Sequence, residues 1–287
     1  MGRYRSKRNI QRLRSRQWRP GHPSWKTAGE WANRYAQALQ VRWDDLPRLF
    51  ADRASRSRLS RLVASLTGPD RGARESALAE LELAILLLRA GFEVGFLPES
   101  QAKTADLKCR LDAHPLFVEV TTLSGAIRRA PLTVSPARPL FPHRLIAPDD
   151  HDEQEGQDGT VLADRLVARI AKKARQLASY QAPVVLAITV PQADRDRARR
   201  PLEVDLARLT TGVTLMLPGV RHISAVLLSL WDVEPTAARS GVRLANVTLV
   251  QRSAVQTASP RVRMLILNPA AQCPLRDPEG LAFKHLL

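Results

Sequence analysis

Residues 75–90 constrain the fold more than any other stretch, because they read as a helix that is apolar over most of its circumference. Glu75, Glu82 and Arg89 recur every seven residues and leave one narrow polar strip, on which Glu82 is expected to be solvated. Such a helix is buried on more than one side, so it needs a broad layer to lie against. Gly91 supplies its C-terminal stop. Strand-like runs follow at 93–97, 105–111 and 116–122, and the turn sequence LDAHP (residues 111–115) makes the last two a hairpin. A second helix is expected over 162–179, strands over 184–190, 224–231, 247–250 and 262–267, and a short helix near 202–209. The order helix, three strands, helix, strand, then further strands predicts an α/β sandwich: a central mixed sheet flanked by helices.

Two segments fall outside that pattern. Residues 124–160 hold five prolines and then an acidic run, and read as a long insertion of the kind that is functional or disordered. Residues 1–70 form a basic arm, divided from a 71–287 domain by the turn cluster TGPDRG (residues 67–72). Residues 1–65 carry sixteen Lys and Arg against four acids, whereas the rest carries 28 basic and 24 acidic residues. The net charge of +16 is therefore mostly that of the arm. A basic arm attracts polyanions by phosphate pairing and counterion release. Trp18, Trp25, Trp31 and Trp43, interleaved with its arginines, offer rings that stack on bases or pack onto the body. A solvated leader is the plain alternative. The arm lacks the long apolar face of an interfacial helix. With no apolar stretch of membrane-spanning length and no secretory signal, a cytoplasmic protein with no membrane partner is expected. Cys109 and Cys273 stand far apart without ligand spacing, which argues against a structural zinc and a disulfide framework.

Three acids stand out by position. Glu80 lies among Ser76, Ala77, Leu83, Ala84 and Leu87 on the packing side of the first helix. An acid there is costly unless it is paired or binds a metal, a helix-edge salt bridge being the ordinary alternative. Asp106 and Glu119 lie on the two strands of the hairpin, where they stand side by side and repel unless a cation sits between them. Their ordinary alternative is a solvated sheet face. A hard cation such as Mg²⁺ takes oxygen ligands and keeps several waters, so two or three carboxylates suffice. His114, His143, His151, Asp232 and Glu234 are weaker candidates, and no Gly-rich phosphate loop is present.

Together these residues resemble the PD-(D/E)XK nuclease superfamily, the restriction endonuclease-like fold of many restriction enzymes and Holliday-junction resolvases. The stretch carrying the resemblance is AELELAILLLRAGFEVGFLPESQAKTADLKCRLDAHPLFVEVTTL. It is similar to resolvase-type members in the helix Glu, the Gly ending that helix, the strand Asp and the later Glu-Val. QLASY, Gln176 to Tyr180, is similar to the QxxxY helix of RecB-type nucleases. The resemblance implies that Glu80, Asp106 and Glu119 bind Mg²⁺ or Mn²⁺ and that Gln176 and Tyr180 position backbone or water. It covers about residues 75–190.

The family pattern ends E-x-K, and here the third position is Thr121. A hydroxyl hydrogen-bonds but brings no positive charge. Either another lysine substitutes or hydrolysis is lost. Lys108 shares a strand face with Asp106 and is the preferred substitute. Lys173 borders the apolar stripe of the second helix with Arg169, Gln176 and Tyr180, whereas Lys172 turns toward solvent. Both lysines could instead be ordinary surface charges. The expected function is a metal-dependent endonuclease acting on DNA in preference to RNA, with a homodimer left open. The alternatives are an inactive nucleic-acid-binding module on the same fold and an RNA-processing protein.

Overall fold

The computed structural model describes residues 52–66, 70–98, 104–123, 162–191, 202–231, 233–236, 244–253 and 259–287. The arm up to residue 51 with its tryptophans, the 124–160 insertion with His143 and His151, and Asp232 lie outside the described residues.

In chain order the elements begin with helices α1 (Arg53–Leu66) and α2 (Arg71–Arg89) and strands β1 (Glu93–Phe96), β2 (Leu107–Leu111) and β3 (His114–Thr122). Helix α3 (Leu162–Gln176), strands β4 (Val184–Val190) and β5 (Leu202–Asp205), helix α4 (Leu206–Met216) and strands β6 (Ala225–Leu230) and β7 (Val233–Thr236) follow. Strands β8 (Val247–Gln251) and β9 (Val262–Leu267) and helix α5 (Asp277–Lys284) complete the series. Seven strands form one mixed sheet in the order β1-β2-β3-β4-β6-β9-β8, and β5 and β7 form a separate parallel pair. The expected α/β architecture, a mixed sheet flanked by helices, is what the chain adopts.

Local chemistry sets the boundaries. The Asp70 carboxylate accepts from the Ala73 N–H at 3.2 Å, so α2 starts at Arg71 rather than at Glu75. Gly91, at φ +91°, ends it, and the Phe92 N–H returns to the Leu87 carbonyl at 3.0 Å. Between β2 and β3 the two central turn residues, Asp112 and Ala113, both have positive φ, the turn whose twist suits a two-residue hairpin. The helix expected near 202–209 is instead strand β5 followed by α4. Asp205 caps α4 by accepting from the Arg208 N–H at 3.0 Å, which fixes the change from strand to helix at that residue. Helix α5 and strand β7 had no clear periodic signal.

The centre of the sheet is buried on both faces. One face carries Leu107, Leu116, Val118, Leu227 and Leu265 against Leu81, Leu87, Phe92 and Phe283 of the α1, α2 and α5 side. The other carries Leu186, Ile188, Val226 and Leu228 against Leu166, Ile170 and Leu177 of the α3 region and Leu209 of α4. The apolar run of β4, interrupted only by Thr189, suits a strand with parallel neighbours on both sides. Helix α1, at the end of the basic arm, joins the first core through Leu59 and Leu62. Its Ser55 hydroxyl accepts from the Phe96 N–H at 2.9 Å, which ties α1 to β1. The boundary read at 67–72 therefore falls between two packed helices. Among the described residues no helix is long and apolar enough to cross a membrane.

Glu82 is not solvated as its strip suggested. Its carboxylate accepts from Arg263 Nη2 at 3.0 Å, and Arg263 is only 4% exposed on β9. Helical periodicity cannot see a partner that arrives from the far end of the chain. Burial pushes the Glu82 carboxyl up to about 7, and Arg263 opposes that rise. Glu82→Ala is expected to destabilise the fold by about 3–5 kcal/mol in urea unfolding, because it removes the carboxylate that Arg263 Nη2 bonds. Arg263 keeps its bond to the Leu286 carbonyl, so a loss beyond that range is not expected.

Candidate active site

The β2–β3 register begins with Leu107 paired to Val118, so Asp106 stands just ahead of the paired residues, at the Glu119 end of the hairpin. There the Asp106 N–H donates to the Val118 carbonyl at 3.1 Å, so that Asp106 and Leu107 both face Val118, and the Leu97 N–H donates to the Asp106 carbonyl at 2.8 Å. One carboxylate oxygen of Asp106, Oδ2, accepts from the Val120 N–H at 2.8 Å. The side chain is thus pinned to β3, and Asp106 lines a cleft of about 320 Å³. Glu119 lines the same cleft and is only 3% exposed.

Helix α3 crosses this end of the hairpin. The Lys173 ammonium donates to Glu119 Oε1, and also to Gln176 Oε1 at 3.3 Å. Lys173 and Gln176 sit three residues apart on one helix face, so the amide holds the ammonium in place. Tyr180 works one step back from the cleft: its hydroxyl accepts from the Ala105 N–H at 2.8 Å and its ring lies 4.4 Å from that of Phe117. It fixes the backbone immediately before Asp106. Arg169 and Lys172 complete the α3 wall of the cleft, with Lys172 exposed as its helical position suggests.

Lys108, the substitute preferred on strand alternation, is exposed and does not line the cleft. On β2 it lies two residues past Asp106, roughly 7 Å further along at about 3.3 Å per residue. There it pairs across the ladder with Phe117 and Gly95, not with Glu119. Lys173 is the lysine brought to the acids. Thr121, buried at 8% exposure, occupies the motif position and lines no part of the cleft.

Glu80 is buried on α2, as its apolar neighbours required, and the salt-bridge alternative applies to it in buried form. Arg58 of α1 donates to both of its oxygens, Nε to Oε1 at 3.1 Å and Nη2 to Oε2 at 2.9 Å. The same Nη2 lies 3.7 Å from Asp106 Oδ1. Arg58 was overlooked as part of the basic arm. A signal was present: Ser55, Arg58, Leu59 and Leu62 share one face of α1, so the arginine sits on a packing face as Glu80 does.

Three carboxylates therefore meet two cations. Burial pushes Glu80 up to about 7, with Arg58 opposing and the Asp106 charge adding to the rise. Burial, then the Asp106 charge, pushes Glu119 up to about 7 against the pull of Lys173. Asp106 is raised by burial and held back by the Val120 N–H, Arg58 and Lys173. Among the described residues no three His, Cys, Asp or Glu side chains converge as a set ready to hold a metal ion. Two oxygens nevertheless suit one: Glu119 Oε2 is buried without a hydrogen-bond partner, and Asp106 Oδ1 has its cation only at 3.7 Å. A hard divalent ion takes such oxygens.

The weaker candidates lie elsewhere. His114 opens β3 on the surface, and Glu234 pairs with Arg261 at 3.1 Å. Cys109 is buried in the core, where its thiol is pushed well above its usual range by burial. No family model, curated protein or solved structure matches the chain.

Proposed function

We propose that the chain is a metal-dependent phosphodiesterase acting on nucleic acid, DNA in preference to RNA, on a restriction endonuclease-like sandwich. The observation that carries this reading is the contact of the Lys173 ammonium with Glu119. It brings to the acids, from a helix, the positive charge that Thr121 does not supply. A phosphate-binding surface gains nothing from three clustered carboxylates, whereas a hydrolytic site needs carboxylates and a lysine together. The succession α2, β1–β3, α3, β4, with β4 parallel to β3, supports the finer fold reading.

Asp106 and Glu119 would hold Mg²⁺ or Mn²⁺ through the two oxygens that lack a close donor. Such an ion supplies Lewis acidity and a bound water of lowered pKa. Lys173 offsets the Glu119 charge and presents an ammonium to a phosphate oxygen. Gln176 orients Lys173, and Tyr180 holds Asp106 in register through Ala105. Arg169 and Lys172 meet the backbone of the strand at the cleft wall. The basic segment before α1 adds salt-sensitive affinity.

Arg58 favours a second reading, an inactive nucleic-acid-binding module, because it already compensates Glu80 and Asp106. Incubation of the full chain with plasmid, single-stranded and branched DNA and with RNA, in Mg²⁺ or Mn²⁺ and in EDTA, separates the readings. DNA cutting that EDTA abolishes is expected. Tight binding without cutting would install the second reading, and preferential cutting of RNA would make the chain an RNA-processing enzyme.

A further inference from the structure

The acids of the cleft are not equally available to an incoming ion. Both Glu80 oxygens are bound by one guanidinium at 2.9 and 3.1 Å, a fork geometry in which Glu80 ligates a metal only by giving up Arg58. Glu119 Oε2, by contrast, is buried with no partner. Asp106 lies between the two arrangements, with Oδ2 committed to the Val120 N–H and Oδ1 3.7 Å from Arg58. Arg58 is not a side chain that happened to fall there. Its helix is clamped to β1 by Ser55, which is 1% exposed, and to the core by Leu59 and Leu62. The Arg58 side chain is 11% exposed and borders the cleft.

Resting on the metal-dependent reading above, we infer that Arg58 is a resident cation of the site, occupying the Glu80 side of Asp106, so that the cleft takes a single divalent ion at Asp106 and Glu119. The fixed guanidinium does on that side what a second ion would otherwise do: it neutralises Glu80 and presents charge toward a phosphate beside Asp106. Glu80 is then a positioning residue for Arg58 rather than a ligand. Removal of the guanidinium exposes the Glu80 oxygens and gives the cleft a second, or a tighter, ion site.

Mn²⁺ binding to the full chain, by titration calorimetry with paramagnetic resonance for stoichiometry, tests this without reference to cleavage. The unmodified chain is expected to bind a single Mn²⁺, and Glu80→Gln to weaken it by less than about tenfold. Arg58→Gln is expected to add a second ion or to tighten binding by about tenfold or more, the scale on which outer-sphere partners tune metal sites. Arg58→Gln/Glu80→Gln should cancel that gain, and because it removes both buried charges it also serves if the single variant folds poorly. Unchanged stoichiometry and affinity in Arg58→Gln, or a loss in Glu80→Gln as large as in Asp106→Asn, would overturn the assignment while leaving the metal-dependent reading standing. Absence of Mn²⁺ binding in every variant would overturn both. Binding that appears only once Arg58 is removed would overturn the single-ion assignment, since the unmodified cleft would then take no ion.

Discussion

Asp106→Asn is expected to lower DNA cleavage by about a thousandfold or more while leaving the fold at least as stable as before. On the proposed function, the loss follows from removing a charged ligand whose ion would supply several kcal/mol of charge stabilisation, at about 1.4 kcal/mol per tenfold in rate. Retained stability follows from the geometry. The Val120 N–H, bonded to Oδ2 at 2.8 Å, finds an equivalent acceptor in the asparagine carbonyl. The sign of the linkage agrees. Burial raises Asp106 above its ordinary value, so its contribution to stability is present below that value and is lost as pH rises through the folded one. An amide never ionises and escapes that loss. Arg58 also keeps Glu80, so no buried cation is orphaned. Cleavage rates, with urea unfolding at pH 7 as the control, decide the matter. A variant within tenfold of the parent rate would remove Asp106 from the chemistry.

The architecture was legible because it rests on local periodicity. The nearly all-round apolar α2, the LDAHP turn and the apolar run of β4 each announce burial on their own. That Asp106 and Glu119 lie at the same end of the hairpin was legible for a related reason, since the register follows once the turn is known, although Asp106 falls just outside the regular pairing. The partners of the acids were not. Lys173 lies 54 residues from Glu119, Arg58 lies 22 from Glu80, and Arg263 lies 181 from Glu82. No spacing rule encodes contacts that arise when a helix layer is laid across a sheet. Alternation predicted Lys108 on the Asp106 side of β2, but the regular pairing begins only at Leu107, and alternation says nothing of which helix covers which part of the sheet. That covering decides in favour of Lys173. Composition misled in the opposite way: the sheer density of arginines before residue 66 hid the one that packs into the core side of α1.

Lys173→Met is expected to cost about 10²–10³ in cleavage at pH 7, the scale for deleting one preorganised charged donor, and to recover part of that loss as pH is raised. In the parent chain Lys173 pulls the Glu119 carboxyl down against burial and the Asp106 charge, and the balance stands at about 7. Without the ammonium the balance moves higher. At pH 7 most Glu119 is then protonated, and a protonated carboxyl does not ligate a divalent ion. Raising the pH ionises it again and restores ligation, but not the charge that Lys173 presents to phosphate, so recovery is partial. Stability runs the other way. The variant's deficit is small at pH 5, where Glu119 is neutral, and grows as pH rises through its elevated folded value, toward the roughly 3–5 kcal/mol of an orphaned buried charge. Glu119→Gln/Lys173→Met should abolish this pH-dependent deficit without restoring activity. Lys173→Arg, which keeps the charge but spreads it over a wider fork, should retain stability and lose only part of the rate. A pH-rate profile for Lys173→Met parallel to that of the parent would mean that Lys173 acts on the substrate alone. A rate within tenfold at every pH would mean that it is a structural counter-ion, and that the charge missing at Thr121 has not been replaced.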